Sequence, residues 1–254
     1  MSGARHGNAL VKVSYEPRTY RQWIKSPDMV SFPVVVDETD LFISARSDLS
    51  SQAIEAVLKC RRTLEHYIRT HPVFATTMEP FIVEDAAPPL VRDMARAAMD
   101  AGVGPMAAVA GAIAEDVGRH LLRFSNEVIV ENGGDIFIKS ARQRLVGLYA
   151  GHSPLTGKVA FVIEPGGTPM GVCTSSGTVG PSLSFGLADA ATIFSPSAAM
   201  ADAAATAIGN RVSSADDIPG AIEFGQQLPR VSGIAIVKGE VLGLWGAIQI
   251  TSMD

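Results

Sequence analysis

Apolar positions along the chain change their period several times, and each change marks an element. Over residues 10–46 they alternate and are rich in β-branched side chains. There Val34-Val35-Val36, Asp37-Glu38-Thr39-Asp40 and Leu41-Phe42-Ile43 read as strand, acidic turn and strand. From Ser47 the spacing turns helical. Leu49, Ala53, Ala56, Val57, Cys60, Leu64, Tyr67 and Ile68 fall on one face, with Arg61, Arg62, Glu65 and Arg69 on the other. This predicts a long amphipathic helix ending near Thr70, before His71-Pro72. A second helix is expected over residues 89–100 and a third, built from small residues, over residues 106–124.

Strands follow. Glu127-Val128-Ile129-Val130-Glu131 and Ile136-Phe137-Ile138-Lys139 flank Asn132-Gly133-Gly134-Asp135, a strong signal for a tight turn. Residues 145–149 and 159–163 predict further sheet. The 37 residues from 165 to 201 carry one formal charge, Asp189, and open on Gly, Ser, Thr and Pro. Phe185, Leu187, Ile193 and Phe194 distinguish this segment from a linker. It is read as a neutral, hydroxyl-rich loop that can run close to a ligand, because Gly permits backbone approach and Ser and Thr donate hydrogen bonds. Ser195-Pro196 reads as an N-cap followed by Pro at N1 of a helix reaching Arg211. A short helix near residues 219–226 and a hairpin over residues 234–245 complete the pattern.

Residues 107–121 repeat at an offset of 91 in residues 198–212, with six of 15 positions identical, five Ala and one Gly. Each of these Ala-rich helices is followed by strand, tight turn and strand. The expected fold is therefore α+β, a single domain over 1–254 with an internal duplication (about 1–140 and 141–254), mainly antiparallel sheets carrying helices on one face.

Composition narrows the function classes. Twenty-six acidic against 21 basic residues leave a net charge of −5, no footprint for nucleic acid or an anionic membrane. Two cysteines, Cys60 and Cys173, make neither a disulfide framework nor a CxxC metal site. Early charges (Arg5, Lys12, Glu16) and the lack of an apolar span predict a cytoplasmic protein. No Walker A loop, GxGxxG after a strand, or GxSxG occurs.

The candidate chemistry is sparse. Asp202 and Thr206 are four apart on a helix, so their oxygens share a face and offer the hard ligands that Mg²⁺ takes. The same pair also fits an acid at a helix start and a Thr bonded back to its own helix. Asn132, Gly133, Gly134 and Asp135 fit either an ordinary hairpin turn or exposed amides approaching a ligand. Cys173, Thr174, Ser175, Ser176 and Gly177 could present a thiol and hydroxyls to a pocket, or Cys173 could be a small buried residue. Nothing adjacent in the sequence lowers a Cys173 pKa.

Taken in order, these segments resemble the ApbE-like superfamily. Gly111-Ala112-Ile113-Ala114 is similar to its small-residue helix, and Val128 through Ile136 to its strand ending in Gly-Gly-Asp. Thr174-Ser175-Ser176-Gly177 resembles its Thr-Ser-Gly loop, and Ser195 through Ala207 its Pro-Thr-Ala-Met-Glu-Ala-Asp-Ala-Leu-Ala-Thr-Ala helix. The resemblance implies duplicated T-fold-like halves and a protein that binds FAD and uses Mg²⁺ to transfer FMN. It implies metal ligation by Asp202 and Thr206 with a backbone carbonyl near Gly111–Ala112. It also implies ligand contacts from Asn132, Gly133, Gly134, Asp135 and the loop Thr174–Gly177.

The departures are specific. The family's His-Ile-x-Asp-Pro segment is missing from residues 178–188, and its Ala-Lys-Gly becomes Ala114-Glu115-Asp116. These features resemble the small, cytoplasmic, uncharacterised branch of the superfamily found in anaerobic and methanogenic prokaryotes, not a typical FMN transferase. The leading expectation is an ApbE-like protein binding a small molecule, a flavin nucleotide, as a Mg²⁺-dependent flavin or phosphoryl-group transferase, and a candidate homo-oligomer. The alternatives are a sulfur-handling protein using Cys173, or a non-catalytic scaffold of the same fold.

Overall fold

A computed structural model describes residues 21, 23–166, 168–177 and 186–253. The part of the alternating N-terminal stretch before residue 21, and residues 178–185 of the neutral segment, lie outside the described residues.

The first half of the chain runs β1 (Ile24–Lys25), β2 (Val30–Val36), β3 (Thr39–Ala45), α1 (Ser50–Thr70), α2 (Pro72–Thr76), α3 (Pro89–Ala101), α4 (Val109–Leu121), β4 (Val128–Asn132) and β5 (Asp135–Lys139). It continues with β6 (Arg144–Gly147), β7 (Val159–Ile163), β8 (Met170–Ser175), β9 (Ala190–Ser195), α5 (Ala198–Gly209), α6 (Ile218–Gln226), β10 (Gly233–Lys238), β11 (Val241–Gly246) and β12 (Gln249–Ser252).

The main sheet is antiparallel, in the order β11-β10-β9-β8-β5-β4-β3-β2. It is two consecutive runs, β2–β5 and β8–β11, and in each run the helices fall between the second and third strands. The runs meet where β5 pairs with β8, Asp135 opposite Cys173. A smaller antiparallel sheet, β1-β6-β7-β12, lies over the other face.

Strand alternation sorts the core. Val128, Val130, Phe137, Cys173 and Ile193 join the helix-side cluster, whereas Ile129, Ile136, Ile138, Val172 and Phe194 join Val146, Phe161 and Ile163 of the small sheet. Helix α5 is buried nearly along its whole length, and its alanines allow close contact with the sheet. A Cβ on Gly171 of β8 would stand 2.4 Å from the Ala198 Cα, so Gly at that position sets how closely helix and sheet approach.

Three expectations change. The neutral segment is not a loop: it contains β8 and β9, two central strands whose small residues lie under α5. Ser195 is the last residue of β9, not a cap. Helix α5 starts at Ala198 with Ser197 as N-cap, its hydroxyl accepting from the Met200 N–H. The helix expected over residues 106–124 is a 3₁₀ turn, Pro105–Ala108, followed by α4. No single helix among the described residues is long and apolar enough to cross a membrane.

Candidate functional site

The Gly-Gly turn is the first component of the site. Asn132 and Asp135 close the β4–β5 ladder, and Gly133 and Gly134 between them take φ values of 68° and 105°. A two-residue turn with positive φ at both central positions matches strand twist and favours glycine. Glu131 braces it: its carboxylate accepts from the Gly134 N–H at 2.9 Å and from Arg21 Nε at 2.7 Å. Asn132 Nδ2 donates to the Ala110 carbonyl at 3.0 Å, tying the hairpin to the first turn of α4.

The second component is the antiparallel crossing of α4 and α5. Neither Ala108, the N-cap of α4, nor any acid in its first turn satisfies its free N–H groups. Asp202 does so from α5, accepting from the Gly111 N–H at 2.8 Å. The arrangement is reciprocal. Glu115 of α4 accepts from the Ala198 and Ala199 N–H groups, at 2.7 and 3.3 Å, and from the Ser197 hydroxyl at 2.9 Å. Each helix thus supplies the carboxylate that the other's N-terminus requires. The crossing demands a glycine, since a Cβ on Gly111 would lie 2.3 Å from the Ala198 carbonyl oxygen and 2.8 Å from Asp202 Cβ.

Asp135 and Cys173 complete the cluster. They are register partners on the helix side of the sheet, and the Cys173 thiol donates to the Ala198 carbonyl at 3.3 Å. Burial raises the Asp135 pKa well above the usual carboxylate range, and the Asp202 charge adds to that. Burial likewise pushes Asp202 up to about 7, against the pull of the Gly111 and Ala110 N–H groups. Cys173 is also raised, by burial first and then by Asp135 and Asp202, so the thiol form is favoured over the thiolate nucleophile. Among the described residues no Lys or Arg forms an ion pair or hydrogen bond with Asp135 or Asp202. Asp135 Oδ1 is buried with no hydrogen-bond partner at all.

The sequence-predicted residues therefore divide. Asn132, Asp135, Cys173 and Asp202 converge at the α4–α5 crossing over β5 and β8, with Gly133 and Gly134 at the adjoining turn. Thr206 lies one turn further along α5, half-buried, and Ser175 lies near Gly209 at the end of that helix. Ser176 follows, half-buried. Gly177 is required by packing: a Cβ there would meet the Gly186 carbonyl oxygen at 1.9 Å. Thr174 points to the opposite face of the sheet, where its hydroxyl pairs with that of Thr192 at 2.8 Å. The residues that sequence reasoning missed are Arg21, Glu131 and the capping role of Glu115. An acid in mid-helix has no local signature, but the 91-residue echo held a clue, since it aligns Gly111 with Asp202, two residues in direct contact.

Solved structures place this architecture. The apo flavinyl transferase ApbE of Pseudomonas stutzeri is similar with a TM-score of 0.55 at 12% identity, covering 90% of this chain and 94% of that one. The ApbE protein of Thermotoga maritima is similar with a TM-score of 0.51 at 13% identity, covering 85% and 96%. The fold is that of the ApbE proteins. A sequence profile described as "AbpE bacteria" matches residues 21–222. A UPF0280 protein of Methanocaldococcus jannaschii is 43% identical over 221 residues, 85% of this chain and 90% of the relative. One from Methanosarcina barkeri is 39% identical over 232 residues, 88% and 91%. The chain belongs to this AbpE family, with the archaeal UPF0280 proteins among its relatives.

Proposed function

We propose that the chain binds a flavin nucleotide together with Mg²⁺ at the α4–α5 crossing and cleaves or transfers its FMN or phosphoryl portion. One observation carries this reading: two buried carboxylates, Asp135 and Asp202, face one site with no Lys or Arg paired to them among the described residues, and one of their oxygens has no partner. Such an arrangement is costly unless a cation completes it. The donors present fit Mg²⁺, which takes one or two carboxylates and leaves the rest of its shell to water and phosphate oxygens. Among the described residues no three His, Cys, Asp or Glu side chains are placed to hold a metal ion by themselves, so the reading requires ligand oxygens from the nucleotide and water.

Asp202, with Thr206 one turn on, would hold the ion, which when bound supplies positive charge to the pyrophosphate oxygens. The chain's own groups do the positioning. The Gly111 N–H holds the Asp202 carboxylate in place. Asn132 fixes the first turn of α4 through Ala110, and the side-chain-free Gly133-Gly134 turn leaves backbone open to a ligand. In the reaction with water as acceptor, the bond between the FMN phosphorus and the bridging oxygen breaks. A water oxygen bonds to that phosphorus, AMP leaves with the bridging oxygen, and the water's protons pass to solvent. With a hydroxyl as acceptor, the same phosphorus is transferred to that oxygen. The same reading takes the runs β2–β5 and β8–β11 as duplicated halves, supported by the echo and by their matching order of strands and helices.

Incubation with FAD and Mg²⁺, followed by chromatography of FMN and AMP and by flavin fluorescence, tests the proposal. FMN and AMP in equal amounts, lost in Asp202→Asn, is the expected result. Neither binding nor turnover would overturn it and leave the scaffold reading.

A further inference from the structure

We propose that Asp135 is a second carboxylate facing the divalent cation, opposite Asp202, and not a contact to the flavin nucleotide. This rests on the reading of the site given above and assigns a residue that the reading leaves open.

Asp135 is only 7% exposed, yet its Oδ1 has no hydrogen-bond partner. Among the described residues the one other buried side-chain polar atom in that condition is His120 Nε2. A buried oxygen left unpaired costs roughly 1–3 kcal/mol, more when charged, so it persists where something else completes it. Its position follows from the strand register. Asp135 lies beside Cys173 in the β5–β8 pair, and Cys173 touches the Ala198 carbonyl one helical turn before Asp202. Gly111 draws α4 onto the same point, within contact of both Ala198 and Asp202. Asp135 and Asp202 therefore approach one spot from the sheet and from the helix.

The other acids near the pair already have partners of their own. Glu131, whose charge also acts on Asp135, is engaged by Arg21 and the Gly134 N–H. Glu115, further along the crossing, is taken by Arg119, Ser197 and the start of α5. The pair is left as the acids of the site without a partnering cation among the described residues. Oxygen donors from short, rigid elements suit a small hard divalent ion better than a soft one.

Mn²⁺ alone, without flavin, is the probe. Its free electron paramagnetic resonance signal is titrated against wild type, Asp135→Asn and Asp202→Asn, each first shown folded by circular dichroism. Wild type is expected to bind one Mn²⁺ that Mg²⁺ displaces, and each variant to weaken binding at least tenfold. Asp135→Glu, which keeps the carboxylate, is expected to retain more affinity than Asp135→Asn and decides the matter where Asp135→Asn fails to fold. Binding lost in Asp202→Asn but unchanged in Asp135→Asn or in Asp135→Glu and Asp135→Ala alike would overturn the inference and leave the functional proposal standing. No Mn²⁺ binding by wild type would overturn the inference, and the FAD assay would then judge the functional proposal separately.

Discussion

Two groups of acids in this fold, one around buried Glu127 and one at Asp135 and Asp202, have opposite surroundings. At the seam of the two sheets, Glu127 of the turn before β4 and Asp28 before β2 enclose Arg144 of β6, with Arg46 beside them. Arg144 Nη2 lies 3.0 Å from Glu127, its Nη1 contacts Asp28, and Arg46 Nη1 lies 3.1 Å from Asp28. Ser140 and the Ala141 N–H add bonds at 2.7 and 3.1 Å to Glu127. Burial alone would raise the Glu127 pKa, but the Ser140 and Arg144 bonds outweigh it and the net shift is downward. The Arg144 hydrogen bond brings Asp28 down to about 2. At the α4–α5 crossing, Asp135 and Asp202 have no such cation among the described residues, and both shift upward. The first group is completed by the protein itself and joins two layers. The second has no Lys or Arg paired to it among the described residues, which is why it is the site proposed for a ligand.

The largest effect should come from breaking the completed group. Arg144→Ala removes the buried guanidinium bonded to Glu127 and leaves that carboxylate only Arg46, 3.6 Å away; urea unfolding should show a loss of about 3 kcal/mol, the low end for a broken buried pair. A loss under about 1 kcal/mol would mean that the seam is not held by charge.

The pH dependence should separate the groups by sign. Asp202 has a folded pKa of about 7 against an ordinary value near 3.9, so between those limits the folded chain keeps a proton that the unfolded chain has lost. Its contribution to stability therefore falls as pH rises through that window and levels off above it. Glu127, with a lowered folded pKa, contributes above its ordinary value and loses that contribution as pH falls through the folded one. Thermal melts of the metal-free protein from pH 4.5 to 7.5 should show a falling limb that Asp202→Asn reduces and that Asp135→Asn with Asp202→Asn flattens.

Smaller effects test the crossing itself. Gly111→Ala inserts a methyl group against the Ala198 carbonyl and should cost about 1–3 kcal/mol in thermal or urea unfolding. Glu115→Ala removes the carboxylate at the α5 N-terminus and should cost about 0.5–2 kcal/mol without weakening Mn²⁺ binding. That contrast with Asp202 would separate a purely structural cap from one that also serves a ligand.

Much of this was legible in the sequence where the signal is local. The Asn132–Asp135 turn was readable because only particular residues tolerate its backbone, and α1 because its apolar stripe is regular. The neutral segment misled because β8 and β9 are packed under an alanine helix. Gly171, Cys173 and Ala191 are small for that reason, and small residues carry little strand signal. Ser195-Pro196 looked like a helix start, but Ser195 remains in the β9 ladder opposite Gly171. The α5 groups that Glu115 caps lie more than 80 residues away in sequence, so only tertiary structure shows that its carboxylate caps another helix. The convergence of Asp135 with Asp202 was hidden for the same reason, although both residues were already candidates.

Anomalous diffraction from crystals soaked in Mn²⁺ would show whether Asp135 and Asp202 together hold a cation. A Mn²⁺ peak is expected between the Asp135 and Asp202 carboxylates at the start of α4. A peak elsewhere, or none beside a fully protonated and internally bonded acid pair, would contradict it.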